Sequence, residues 1–323
     1  MVVTETIQTN VSIDLVAKVG EPANEVSSDL AGDLQDLSIY DPINDDGQIA
    51  FWAKTTTGEE AVVRANPVRK PILIIPGIGG SLPDTEKDFK EWVMNRGFVP
   101  DRLINDPLLN TYSDLVESLE RAGYTEGVDL FVATHDWRLS PGPIDGVIDG
   151  VIERSIADLT DGTYEYSMDQ LAFWMNKAEE QWKSQFPAGE PIPELESVDV
   201  IAHSAGGSVA RSYIQSTAYS DPNFTLPKVN NFITLGVPFR GSPAPYKILS
   251  NDFISDPSYA FLGNAMKFAR DKVTKKNQTI KITGESDPAI EGVITPDMVA
   301  NELSDPKDFL KAYAPNLNAL LAT

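Results

Sequence analysis

The chain has no cysteine and only two histidines, His135 and His203, among its 323 residues. The first absence excludes disulfides and thiolate metal sites, and the second argues against a histidine-built metal centre. Basic residues are scarce as well: 26 Lys and Arg face 48 Asp and Glu, a net charge of −22. So acidic a chain disfavours nucleic acid and strong attachment to anionic membranes. No apolar run approaches the roughly 18 residues that cross a bilayer, and the N-terminus lacks the basic-then-apolar pattern of a secretory signal. These features suit a bacterial cytoplasmic protein and equally one exported through a C-terminal signal. The glycine-rich segment Pro76-Gly77-Ile78-Gly79-Gly80-Ser81 has no lysine at Walker spacing and no Gly-x-Gly-x-x-Gly pattern. Nucleotide binding is therefore not expected, and no cofactor is implied.

What is present is a strand–turn–helix signature. The apolar run Val198-Asp199-Val200-Ile201 leads directly into Ala202-His203-Ser204-Ala205-Gly206. A serine at the tip of so tight a turn needs small residues on either side, here Ala202 and Gly206. Gly207 then lets the helix that begins at Ser208 pack close to the sheet. By itself the pattern is also what any strand ending in a small-residue turn would show. A second segment adds weight. Pro71-Ile72-Leu73-Ile74-Ile75 reads as a strand buried on both faces, and the glycine-rich turn follows it at once. In serine hydrolases such a turn supplies one backbone N–H of the oxyanion hole, and the residue after the nucleophile supplies the other.

Three more segments complete an order. Ser113 to Tyr124 reads as an amphipathic helix ending at Gly123. Asp129-Leu130-Phe131-Val132-Ala133-Thr134-His135 is a strand entering the loop Asp136-Trp137-Arg138-Leu139-Ser140-Pro141. Asn231-Phe232-Ile233-Thr234-Leu235 is another strand, closed by Gly236-Val237-Pro238-Phe239-Arg240-Gly241-Ser242. In these motifs residues 70 to 323 resemble the lecithin:cholesterol acyltransferase-like family of α/β-hydrolases. The resemblance implies a serine-dependent hydrolase or O-acyltransferase of lipid or other acyl esters, with only transient contact to a lipid surface. It makes Ser204 the nucleophile and the amides of Ile78 and Ala205 the oxyanion donors. Asp136, Trp137 and Arg138 would shape the pocket. The family usually has tyrosine where this chain has His135.

A base is harder to find. α/β-Hydrolases order their triad Ser, acid, His, yet no histidine follows Ser204. His203 adjoins the nucleophile, so its side chain leaves the turn in another direction, and a structural role is expected. His135 sits at a strand's C-terminal end, where ligands bind in open α/β sheets. A triad is defined by geometry rather than chain order, which keeps His135 as a candidate base beside a structural or substrate-contacting role. Asp287 mimics a strand-Gly-x-x-Asp acid site, although lid sequence fits better there. The resemblance places a helical lid at residues 243 to 323 and the acid and histidine strands after it. The expectation is therefore a fragment, with the Phe232-to-Leu235 strand left as an open edge. A complete but inactive homologue that holds a lipid or partner is the alternative.

The expected architecture is a doubly wound, mostly parallel α/β-hydrolase sheet, incomplete on its C-terminal side, over residues 69–323. A β-rich module over 1–68 precedes it. Residues 12–66 look like one unit of a bacterial β-repeat, or else a hairpin added to the hydrolase sheet. Ser167 and Gln170 form a capping-box pattern. The stripe Leu171, Trp174, Met175, Ala178 and Trp182 then predicts a helix packed on the sheet.

Overall fold

The computed structural model describes residues 17–25, 30–39, 49–65, 69–105, 110–144, 146–147, 149–154, 164–186, 192–221, 224–242, 247, 257–281 and 293–320. The chain forms two compact units, the first ending at Val68 and the second beginning at Arg69. In the first, β1 (Leu34–Ser38), β2 (Ile49–Thr55) and β3 (Glu60–Ala65) make an antiparallel sheet in that order. Alternation along β2 buries Phe51 and Ala53 against Leu34, Leu30 and Ala23, as a sheet with one dry face requires. Gly58, at φ +89°, closes the β2–β3 turn. These strands pair with one another in a sheet of their own among the described residues.

The second unit is built on four parallel strands. β4 (Ile72–Ile75) is followed by the short antiparallel pair β5 (Ser81–Pro83) and β6 (Leu103–Asn105), with helix α1 (Glu86–Met94) between them. Next come α2 (Ser113–Arg121), β7 (Leu130–Val132), α3 (Ser167–Ser184), β8 (Ser197–His203) and α4 (Gly206–Gln215). A two-residue pair, β9 (Ser220–Asp221) and β10 (Phe224–Thr225), precedes β11 (Lys228–Leu235). The parallel sheet has the order β11-β8-β4-β7. The apolar run of β4 serves both faces. Ile72 and Ile74 pack with Leu130, Val132 and the α2 side, while Leu73 and Ile75 pack with Val200, Ala202 and α3 and α4. Helices on both faces of a parallel sheet make the fold α/β and doubly wound.

The apolar stripe on α3 falls where its spacing places it. Leu171, Met175 and Ala178 are buried in the sheet-facing core, with Trp174 and Trp182 packed beside them. The start of that helix differs from the Ser167/Gln170 cap. Its N-cap is Tyr166, whose N–H donates to the Asp169 carboxylate at 2.9 Å. Gln170 is instead buried, accepting from Asp136 N at 2.6 Å and donating to Phe98 O at 2.7 Å. A tertiary demand for that amide outweighs the local cap.

After β11 the described chain is mostly helical: α5 (Pro257–Lys276), α6 (Pro296–Asn301), α7 (Pro306–Tyr313) and α8 (Asn316–Ala319). β12 (Ile280–Lys281) pairs antiparallel with β13 (Val293–Ile294), apart from the main sheet. Asp287 lies outside the described residues. These elements share a core with α1, β5 and Trp137. β11 pairs only with β8 among the described residues, and Ile233 and Leu235 on it are exposed. None of the helices is long and apolar enough to cross a membrane, among the described residues.

One polar cluster ties the helical layer to the sheet. Arg138, fully buried, donates through Nε and Nη2 to Asp136 at 2.8 and 2.7 Å, through Nη2 to Asn95 O, and through Nη1 to Tyr313 Oη at 2.8 Å. Tyr313 in turn donates to Val93 O at 2.9 Å. Asp136 also accepts from the N–H groups of Gly97 and Phe98. The guanidinium stacks 3.9 Å from the Trp92 ring centroid, a favourable cation–π arrangement. Burial opposes the charge on Asp136, but Arg138 and the hydrogen bonds outweigh it and hold the carboxyl below its ordinary value. With the folded pKa depressed, the stability it gives is fully present above the ordinary value of 3.8 and is lost as pH falls below it. Asp136→Asn strands a buried guanidinium, so it should cost about 3–5 kcal/mol in urea denaturation at pH 7. It should also flatten the acid limb of the stability curve; an unchanged midpoint would contradict this assignment.

Candidate active site

The C-terminal ends of β4, β8 and β11 lie level, with Ile75 opposite Ala202 and His203 opposite Leu235. Ser204 follows at once with φ +52°, in the left-handed region that side chains avoid. Its N–H donates to Leu235 O at 2.9 Å, and its own C=O accepts from Gly207 N at 3.1 Å as α4 begins. The chain thus turns from strand to helix within two residues, and the turn is stitched to the neighbouring strand.

Three glycines make the turn possible. A Cβ on Gly206 would sit 2.4 and 2.5 Å from the carbonyl oxygens of Ile75 and Pro76, and one on Gly207 would meet Val237 at 2.3 Å. The constraint on Gly206 comes first from the end of β4, rather than from Ala202 as the motif suggests. Gly77 closes the other side, since its Cβ would stand 2.8 Å from Ser204 Cβ and 3.3 Å from Oγ. The glycine-rich turn therefore lies directly against the elbow serine. It is tight in its own right: Gly80 N donates to Gly77 O at 3.0 Å, and Gly79 has φ +76°.

A residue that the sequence reading passed over holds this turn. Tyr112, buried just before α2, accepts from Gly77 N at 2.9 Å and lies 2.8 Å from His203 Nδ1. Burial lowers the pKa of His203, which favours the neutral ring. Tyr112 Oη and His203 Nδ1 thus share one hydrogen bond, its donor set by the tautomer of the imidazole. The Nδ1 side of His203 is thereby engaged by Tyr112 rather than by Ser204. No spacing reveals this contact, because the partners are 35 and 91 residues from Tyr112.

Ala205 is buried and Ile78 half-buried, the latter packed against the helical-layer core. Among the described hydrogen bonds, neither backbone N–H has an acceptor. His135 lies at the end of β7, which β4 separates from β8. It is 1% exposed; its N–H donates to Ser81 Oγ, and Nε2 has no partner among the described residues. Burial pulls its pKa down to about 4, so the ring is neutral near pH 7. Neither histidine is hydrogen-bonded to Ser204 Oγ among the described residues. Asp136, Trp137 and Arg138 are at most 1% exposed and offer a ligand essentially no surface; their contacts fasten the helical layer instead.

Residues 165–287 match the PGAP1-like alpha/beta domain family. No curated protein and no solved structure matches the chain. The PGAP1-like segment is of the α/β-hydrolase type. It runs from the start of α3 through β8, the elbow, α4 and β11 and beyond α5, so it contains Ser204 and Ala205. Ile78 and the rest of the glycine-rich turn precede it.

Backbone strain at Ser204 is measurable. Glycine tolerates φ +52° whereas alanine does not, so Ser204→Gly should be more stable than Ser204→Ala by about 0.5–1 kcal/mol after glycine's larger chain entropy is deducted. Equal unfolding midpoints for the two variants would mean that the turn stores no strain.

Proposed function

We propose that the protein is a serine-dependent acyl-ester hydrolase or O-acyltransferase acting on lipid esters through an acyl-enzyme on Ser204. The observation that carries this reading is Ser204 at φ +52° with Gly77 packed against its side chain. Serine held in that geometry, beside two amides that have no acceptor among the described residues, is arranged for attack on a carbonyl. Ser204 Oγ would add to the ester carbon, and the carbonyl oxygen would take the developing charge between Ile78 N–H and Ala205 N–H. Collapse expels the alcohol, which leaves with a proton, and water or a second alcohol then takes the acyl group. The match to a family of α/β-hydrolase type supports the hydrolase class. The ordered motifs from Pro76 to Ser242 support a lecithin:cholesterol acyltransferase-like placement within it, and hence the lipid substrate. The N-terminal module is read as one unit of a β-repeat.

The proton of Ser204 needs an acceptor, and both histidines are occupied or buried. The base is therefore assigned to a group outside the described residues. The same observation favours a second reading, in which the chain keeps the pocket and holds a lipid without turning it over. A fluorophosphonate probe separates the two. Rapid labelling that disappears in Ser204→Ala supports the enzyme. Residual esterase activity of roughly 10³-fold over water is what an oxyanion site retains without a complete triad. Labelling absent from the parent protein, or unchanged in Ser204→Ala, would reject the nucleophile.

A further inference from the structure

A cleft of about 400 Å³ opens beside α4, one turn beyond Ser204. Its floor is one helix face, Ser208, Arg211, Ser212 and Gln215, at the i, i+3, i+4, i+7 spacing that aligns side chains. The opposite face of α4 buries Val209, Ala210 and Tyr213 in the core. One wall is the loop from Ser140 to Ile152, fixed to the helix end where Ile152 N donates to Gln215 O at 2.8 Å. A Cβ on Gly142 would stand 2.9 Å from Ser212 Cβ, so this wall sits directly on the helix. The other wall is the Pro238-to-Gly241 turn that follows β11.

Two properties set the cleft apart. Its walls expose apolar side chains that have no reason to face water: Ile144 is 92% exposed, Val147 62%, Phe239 46% and Val151 42%. The sequence over residues 144–151 is the tandem Ile-Asp-Gly-Val-Ile-Asp-Gly-Val, of which Ile144, Val147, Gly150 and Val151 line the cleft. The charged side chains that line it among the described residues are Arg211 and Arg240; Asp149, in the same loop as the first wall, is exposed and is not among the lining residues. Neither arginine forms an ion pair among the described residues. Unpaired guanidinium groups suit a carboxylate or phosphate, which they bind through paired N–H donors. Exposed aliphatic and aromatic walls suit a hydrocarbon chain.

We infer that this cleft binds a single-chain anionic amphiphile. Its carboxylate or phosphate head would lie at Arg211 and Arg240, and its chain would run along Ile144, Val147, Val151 and Phe239. The volume lies at the small end of the ~300–1,000 Å³ range of small-ligand sites, which admits one aliphatic chain rather than a whole two-chain lipid. A flat anionic bilayer is disfavoured by the net charge of −22. The binding claim does not depend on Ser204 acting as a nucleophile.

Isothermal titration calorimetry on the full chain tests it, with decanoate, decyl phosphate and decyltrimethylammonium as probes. Both anions should bind at one equivalent, and the cation, which the protein's overall charge favours, should not. Tighter binding of decyl phosphate would assign a phosphate head and tighter decanoate a fatty carboxylate; either supports the cleft. Arg211→Gln with Arg240→Gln, both exposed positions, should weaken the anions about tenfold or more. Val147→Asp should weaken them through the chain-binding wall. Ser204→Ala should bind like the parent, so loss of labelling there leaves this inference standing. Cation binding as tight as anion binding, an unaffected double arginine variant, or no anion binding below a Kd of about 1 mM would overturn it.

Discussion

Two stretches of backbone meet at Ser204 with no room for a side chain between them. The end of β4 passes so close to the start of α4 that residue 206 must be glycine, and the turn after β4 lies so close to Ser204 that residue 77 must be glycine too. Each stretch is fixed by the sheet beneath it, through the aligned register of β4, β8 and β11. The positive φ of Ser204 follows from that contact, since the chain must reverse into a helix while still bonded to Leu235. Strain of this kind persists only where the surroundings over-determine it. Here they do so from three sides: the β4 carbonyls, Val237 and the Tyr112-held turn.

The helical layer depends on a different balance. Desolvating Asp136 and Arg138 is costly, and a buried ion pair often contributes little net stability. What it does supply is direction. Arg138 reaches Asn95 and Tyr313, Asp136 reaches the Gly97–Phe98 amides, and Asn316 Nδ2 donates to Trp137 O at 2.8 Å. A misplaced helix would leave these groups buried and unpaired, so the cluster penalises alternative packings. Ile78 packs against the same core, which links the placement of the helices to the turn beside Ser204.

β4 was legible because a strand buried on both faces must be apolar throughout, as Ile72-Leu73-Ile74-Ile75 is. The elbow was legible because close backbone approach leaves glycine and alanine as its only solutions. The α3 stripe was legible from its 3.6-residue period. Tyr112 was not, because its value lies in a hydroxyl that meets Gly77 and His203 only after folding. The start of α3 was misread for a related reason: Gln170 satisfies local capping rules, but Asp136 and Phe98 claim it. His135 was placed at a strand end, yet the sequence held no sign that Ser81 and Ala133 would enclose it. The cleft beside α4 is likewise a product of three distant segments, and only its tandem apolar repeat is visible in one dimension.

The central claim is that Ser204 faces a carbonyl-binding site made by the amides of Ile78 and Ala205. A crystal structure of the protein after reaction with an alkyl phosphonate tests this most directly. The account predicts phosphorus bonded to Ser204 Oγ, with the phosphoryl oxygen about 2.7–3.1 Å from both amide nitrogens. A phosphoryl oxygen turned to solvent, or an adduct on any other residue, would contradict it.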